Sequence, residues 1–102
     1  MNKKVRLNNK DTSLILKLAK DYFNSKDVWI FGSRADLGKK GGDIDIFIKT
    51  KLKENILKSK IIFLRELEKK IGDQKVDLVI QSPMTRTKEI FKIAQKTGEK
   101  LC

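Results

Sequence analysis

The sequence predicts an α/β fold in which a small mixed β-sheet of three or four strands is flanked by helices. Short apolar runs of strand-like composition alternate along the chain with longer segments whose apolar residues recur every three or four positions. The 102 residues include 39% hydrophobic side chains, which is enough to pack one core. No repeat or linker divides the chain. We therefore expect residues 1–102 to form a single domain of two or three layers.

The first two predicted elements are a helix over residues 11–23 and a strand over residues 28–31. The helix is indicated by apolar residues that share one side: Leu14, Ile15, Leu18, Ala19, Tyr22 and Phe23. The strand is short and fully apolar, and Gly32 ends it. Because Trp29 and Phe31 lie inside this run, we interpret both as core residues rather than as platforms for base stacking.

A glycine-rich, charged loop over residues 32–42 precedes the second predicted strand, residues 43–49. This strand is indicated by strict alternation of isoleucine with other residues: Ile44, Ile46 and Ile48 against Asp43, Asp45 and Phe47. A helix over residues 53–71 follows and ends at Gly72. We expect its core face to be Leu57, Ile61, Leu64, Leu67 and Ile71. We interpret its lysines as solvated: Lys58, Lys60, Lys69 and Lys70.

Residues 76–80 form the third predicted strand, and residues 84–96 form the last predicted helix. On the strand, alternation puts Asp77 and Val79 on the face opposite to the other three apolar side chains. The helix is expected to point Ile90, Ile93 and Ala94 inward and to end at Gly98. The segment 98–102 is too short for an element to be assigned.

Charge and composition restrict the possible chemistry. The 24 Lys and Arg against 13 Asp and Glu give a net charge of +11, which attracts nucleotides, nucleic acid, acidic proteins or anionic lipid without choosing among them. The absence of histidine excludes Ser-His-Asp triads, Cys-His dyads and imidazole zinc sites. Cys102 is the only cysteine, and neither a signal peptide nor an apolar span occurs. We expect a cytoplasmic protein that does not enter a membrane.

The candidate site combines a phosphate-binding turn with paired carboxylates. Asp43 and Asp45 are two positions apart on a strand, so both side chains leave one face and can reach one Mg²⁺ ion. A lone aspartate at a strand start is more often a turn residue. Here, however, Gly32 and Ser33 follow a buried strand directly, where a glycine permits close approach to a ligand and a hydroxyl can hold phosphate. Basic residues such as Arg34 lie in the same loop.

The segment GSRADLGKKGGDIDIFI resembles the signature of the DNA polymerase β-like nucleotidyltransferases, in which Gly-Ser precedes Asp-x-Asp by about ten residues. The resemblance covers residues 29–80 and is closest to the minimal, stand-alone members. That family has a third acidic residue on a later strand, and Asp77 in KVDLVI occupies this position. Two departures occur: nine residues rather than ten separate Ser33 from Asp43, and Gly42 replaces a common serine.

The resemblance implies a polymerase β palm-like fold and a set of residue roles. Asp43, Asp45 and Asp77 would be the catalytic residues and would hold one or two Mg²⁺ ions. Gly32, Ser33 and Arg34 would bind a nucleoside triphosphate, expected to be ATP. The reaction would move AMP to a hydroxyl acceptor. In the minimal family the partner is often a small all-helical HEPN protein, and the two form a toxin-antitoxin pair in which the transferase modifies the toxin.

Two other classes of function stay open at the level of sequence. The shortened loop is compatible with a weak or inactive enzyme that acts as an antitoxin-like binding module. The net charge is compatible with a basic nucleic-acid-binding domain, although no recognition helix or aromatic stacking array supports it. The preferred nucleotide, the acceptor and any homo-oligomer cannot be read from the residues.

Overall fold

A computed structural model of the chain describes residues 9–31, 44–72, 76–83, 85 and 88–101. Within these residues there are three helices: α1 (Asn9–Phe23), α2 (Ile56–Ile71) and α3 (Glu89–Thr97). They also contain four strands: β1 (Asp27–Phe31), β2 (Ile44–Lys49), β3 (Val76–Gln81) and β4 (Glu99–Leu101). The strands form one sheet in the order β3-β2-β1-β4, in which β1 runs antiparallel to β2 and β4, and β2 runs parallel to β3. The predicted mixed α/β fold is confirmed.

The sheet separates two apolar clusters because successive residues of a strand point to opposite faces. On one face, α1 and α2 cover the larger cluster, whose buried members are Ile15, Leu18, Ala19, Phe23, Val28, Ile30, Ile44, Ile46, Ile48, Phe63, Leu67, Leu78 and Leu101. On the other face, α3 covers a smaller cluster of Phe31, Phe47, Phe91 and Ala94, with Trp29, Val79 and Ile90 packed against it. The described residues therefore form three layers, helix on sheet on helix, and Trp29 and Phe31 pack in the core as predicted.

The prediction of which residues of α2 face the core is partly wrong. The helix begins at Ile56 rather than at residue 53, because Asn55 adopts a left-handed backbone conformation with φ 62°. Leu57 is 70% exposed and Ile61 is 49% exposed, whereas Phe63 and Leu67 are fully buried. Helical spacing alone does not locate the core when apolar residues occur on more than one side of a helix. Contact with α1 and the sheet selects the side that contains Phe63.

The C-terminal elements also differ from their prediction. Helix α3 begins at Glu89, five residues later than expected. Its inward aromatic residue is Phe91, which is 1% exposed, while Ile93 is 46% exposed and points away from the core. Residues 99–101 form β4, which pairs with β1 from Val28 to Ile30. A three-residue strand carries too little pattern to be recognised, and its pairing depends on a partner far away in the sequence.

Gly98, at the end of α3, permits the close contact between that helix and β1. A Cβ built at this position would lie 2.5 Å from the Ala94 carbonyl oxygen and 2.8 Å from the Ile30 carbonyl oxygen. Both neighbours are backbone atoms that cannot move independently of the fold. We therefore expect Gly98→Ala to lower the free energy of unfolding by about 1–3 kcal/mol, as for other overpacked sites. Urea denaturation followed by circular dichroism measures this loss.

Gly72, at the end of α2, provides the matched control. It has φ 85°, but no atom lies within 4 Å of a Cβ built on it. Gly72→Ala should therefore cost about 1 kcal/mol from backbone conformation alone. An equal or larger loss at Gly72 than at Gly98 would contradict the packing explanation.

Candidate active site

The strand register brings Asp45 and Asp77 side by side. They are paired positions of the parallel strands β2 and β3. Paired residues on neighbouring strands point to the same face, and the strands lie about 4.8 Å apart. Both side chains therefore leave the face of the sheet that α3 partly covers, which is also the face of Phe47 and Val79. Two carboxylates separated in the chain by a whole helix thus meet at one end of the sheet.

The two carboxylates line a cavity of about 510 Å³. Asp45 is half-buried and Asp77 is exposed, so the second carboxylate is the more accessible to solvent. The described lining comes from three strands and two helices: Phe31, Asp45, Lys60, Leu64, Val76, Asp77, Leu78, Val79 and Ile90. Lys60 is the one cation among these described residues. In the described lining the remaining residues are apolar, and the charged residues are two aspartates and one lysine.

Four of the predicted site residues lie outside the described part of the chain: Gly32, Ser33, Arg34 and Asp43. The described residues on either side of this segment are Phe31 and Ile44. Phe31 pairs with Asp45 on the neighbouring strand, so the end of β1 and the start of β2 lie at the carboxylate end of the sheet. The chain therefore leaves β1 and re-enters β2 beside Asp45.

The donor set suits a hard divalent cation. Among the described residues no three acidic, cysteine or histidine side chains come together, and the pair at the cavity is Asp45 with Asp77. Mg²⁺ is usually held by one or two protein carboxylates and completes its shell with phosphate oxygens and water. Two negative charges on adjacent strands repel each other, and a cation between them removes that repulsion. The two described carboxylates therefore fit the ligand type of a divalent cation that takes the rest of its ligands from elsewhere.

Lys60 is a site residue that the sequence interpretation missed. Lys58, Lys69 and Lys70 are exposed as expected, but Lys60 is half-buried and lines the carboxylate cavity. A signal was available, because Lys60 precedes Leu64 by one helical turn and so lies on the same side of α2. Lys60 thereby adds a basic residue to the lining of the cavity that contains the two carboxylates.

Comparison with known proteins assigns the family. The profile of the nucleotidyltransferase domain matches residues 13–98, and the chain belongs to that family. The resemblance seen in the sequence is thus confirmed at the level of the superfamily, and the protein contains a nucleotide-transfer domain. The match includes every residue predicted for the site.

One solved structure similar to this chain is the 1.40 Å crystal structure of a candidate nucleotidyltransferase from Sulfolobus solfataricus. It is 26% identical in sequence, and the alignment covers 72% of each chain. The TM-score is 0.37, so the two folds superpose only loosely and the assignment rests on the family match. No curated protein sequence matches the chain at a significant level. None of the described helices is long and apolar enough to cross a membrane.

Proposed function

We propose that the protein is a metal-dependent nucleotidyltransferase that moves AMP from ATP to a hydroxyl acceptor. The observation that carries the proposal is the pairing of Asp45 with Asp77 across β2 and β3, in a chain of the nucleotidyltransferase domain family. A role for Asp43 is supported by its position two residues before Asp45. Such a reaction fits the cytoplasm, where ATP and Mg²⁺ are abundant.

The proposed residue roles are those that the resemblance to the polymerase β-like nucleotidyltransferases implies. Asp43, Asp45 and Asp77 would hold one or two Mg²⁺ ions, which supply positive charge to the triphosphate and to the leaving group. Gly32, Ser33 and Arg34 would bind the β- and γ-phosphates.

In the proposed reaction, Asp77, as the more accessible carboxylate, accepts the proton of the acceptor hydroxyl. The hydroxyl oxygen then forms a bond to the α-phosphorus while the bond from that phosphorus to the bridging oxygen breaks. Pyrophosphate leaves with the electron pair of that bond. Lys60 offsets negative charge at the cavity wall. Positioning and charge supply most of the acceleration in this class of chemistry.

A second protein is proposed to supply the acceptor. The three described helices all pack on the single sheet, and no described segment forms a separate acceptor-binding lobe. The resemblance to minimal nucleotidyltransferases supports a small helical HEPN protein, with the pair acting as toxin and antitoxin. Large apolar side chains exposed on the described helices, such as Leu57 and Ile93, are compatible with contact to a partner.

The proposal is tested by incubating the protein with a HEPN protein encoded beside its gene, Mg²⁺ and ATP labelled at the α-phosphate. We expect label to appear on the partner. In a parallel reaction, ATP labelled at the γ-phosphate should leave no label on the partner, since that phosphate departs in pyrophosphate. EDTA should stop the reaction. Absence of transfer with all four nucleoside triphosphates, although the complex forms, would instead support the inactive binding module.

A further inference from the structure

Strand β3 lies at the edge of the described sheet. It pairs with β2 on one side, and no other described strand pairs with it. The Gln81 carbonyl accepts a hydrogen bond from the Thr50 N–H at 2.9 Å, so Gln81 directs its backbone groups toward β2. Because backbone direction alternates along a strand, Leu78 and Ile80 direct their N–H and C=O groups away from β2. These are the groups with which an added strand pairs.

A groove follows this edge. A cavity of about 490 Å³ is lined by the consecutive residues Leu78, Val79 and Ile80. Since Val79 points to one face of the sheet and its two neighbours to the other, a cavity that touches all three lies over the strand edge. One wall is α2, with Ile56, Leu57 and Lys60, and the other is the start of α3, with Ile90, Phe91 and the preceding Lys88. We call this cavity the edge groove.

The edge groove is continuous with the carboxylate cavity. The two cavities share Lys60, Leu78, Val79 and Ile90. Six residues of β3, each rising about 3.3 Å, give the edge a length of about 20 Å. A chain laid along it from Ile80 would reach Asp77 and Asp45 at the other end. An extended segment of about six residues therefore matches the strand edge and ends at the candidate active site.

Charge and polarity select the chemistry of the occupant. The described lining of the edge groove contains two lysines, Lys60 and Lys88, and no carboxylate. Leu57, at its rim, is 70% exposed. An extended peptide with apolar and acidic side chains is complementary to this apolar and basic lining. A second copy of this chain is disfavoured because its net charge of +11 repels an equal charge. A nucleic acid lacks the alternating donors and acceptors that pair with a strand edge.

We propose that the edge groove binds an extended acidic segment of a partner protein by strand addition to β3. The segment pairs its backbone with Leu78 and Ile80 and places its acidic side chains near Lys60 and Lys88. A hydroxyl-bearing side chain at the end beside Asp77 becomes the acceptor for the nucleotide, and this last step rests on the proposed function. The docking itself does not require catalysis.

The test uses the full chain and a fluorescein-labelled peptide, Val-Glu-Glu-Val-Val-Asp-Tyr, whose acidic residues occupy both faces of an extended strand, in fluorescence anisotropy without nucleotide or metal. We expect saturable binding that Lys60→Glu combined with Lys88→Glu weakens by about tenfold or more. The matched control combines Lys70→Glu on α2 with Lys92→Glu on α3, which changes the charge by the same amount at exposed positions outside the groove. It should weaken binding less than about threefold, because salt screens the effect of charges that lie far from the peptide. Melting curves confirm that both variants fold.

Backbone pairing is read separately by amide hydrogen exchange. The peptide should slow exchange at Leu78 and Ile80, whose N–H groups face the groove. Asp77 and Val79, which already face β2, should change little. Equal binding of a peptide with lysine at every acidic position, equal weakening by both double variants, or unchanged exchange at Leu78 and Ile80 would overturn the docking proposal. So would displacement of the peptide by a single-stranded oligonucleotide, or a peptide-sensitive dimer in sedimentation.

The two proposals fail in distinguishable ways. Asp45→Asn combined with Asp77→Asn should not weaken peptide binding, because Asp45 and Asp77 lie beyond the described lining of the groove and their negative charge repels an acidic peptide. Peptide binding with no transfer from any nucleotide to the partner protein contradicts the proposed function and leaves the docking site in place. Transfer to a partner hydroxyl that is insensitive to Lys88→Glu, which lies outside the carboxylate cavity, contradicts the docking site alone.

Discussion

Asp45→Asn or Asp77→Asn is expected to lower the rate of nucleotidyl transfer by about 10³-fold, equivalent to about 4 kcal/mol of transition-state stabilisation. The amide has nearly the same size as the carboxylate but lacks the charge that attracts a divalent cation. The paired register places the two carboxylates on neighbouring strands, so either substitution removes one of the two described carboxylates of the cavity. Single-turnover transfer of the α-phosphate label to the partner measures the effect, with saturating Mg²⁺ and ATP.

Asp21→Asn is the matched control for this prediction. Asp21 is an exposed carboxylate on α1, paired with Lys17 at 3.2 Å and remote from the cavity. Its loss should leave transfer within about twofold, since exposed ion pairs contribute little. Transfer that survives in both cavity variants would exclude Asp45 and Asp77 from catalysis. Loss of transfer with intact complex formation and intact neutralisation of the proposed partner would show that neutralisation depends on binding and not on chemistry.

Phe47→Ala is expected to lower the free energy of unfolding by about 3–5 kcal/mol, the usual cost of truncating a buried phenylalanine. Phe47 is fully buried on β2. Its ring centroid lies 5.3 Å from that of Trp29 and 5.5 Å from that of Phe91, so it joins the sheet to α3. Domains of this size are stable by about 5–15 kcal/mol, so the variant loses a large share of its stability. The shift of the urea midpoint measures this loss.

Phe47→Leu separates the cavity effect from the loss of aromatic contact. It keeps most of the apolar volume, so the free energy of unfolding should fall by about 1.5 kcal/mol or less. Transfer activity should also fall in Phe47→Ala at temperatures where the protein is still folded, because Ile90 of α3 lines the carboxylate cavity. If Phe47→Ala and Phe47→Leu lose equal stability, the cavity explanation is wrong.

Local pattern explains which parts of the fold could be predicted. Strands β1, β2 and β3 are each within one residue of their predicted bounds, because a run of apolar or alternating residues is a property of a few neighbouring positions. The same alternation put Asp77 and Val79 opposite Leu78, as the structure confirms. Helix α1 was also recognised from its spacing. The core faces of α2 and α3 were less predictable, because Leu57 and Ile93 fit an apolar stripe but remain exposed.

The candidate site could be predicted only as a set of residue types. The sequence identified Asp45 and Asp77 as acidic strand residues within a recognisable motif, but neither position carries information about which strands become neighbours. Their pairing depends on the parallel register of β2 and β3 across an intervening helix. The roles of Gly32, Ser33, Arg34 and Asp43 remain predictions, since these residues lie outside the described part of the chain.

By itself, then, the sequence determined the class of fold, the approximate elements and the acidic residues that could bind a cation, because these follow from local periodicity and side-chain chemistry. Tertiary structure decided the sheet order, the pairing of Asp45 with Asp77, the position of Lys60 in the cavity lining and the groove along β3. The physical reason is that strand pairing and helix orientation are selected by the burial of the whole core, to which residues far apart in the chain contribute together.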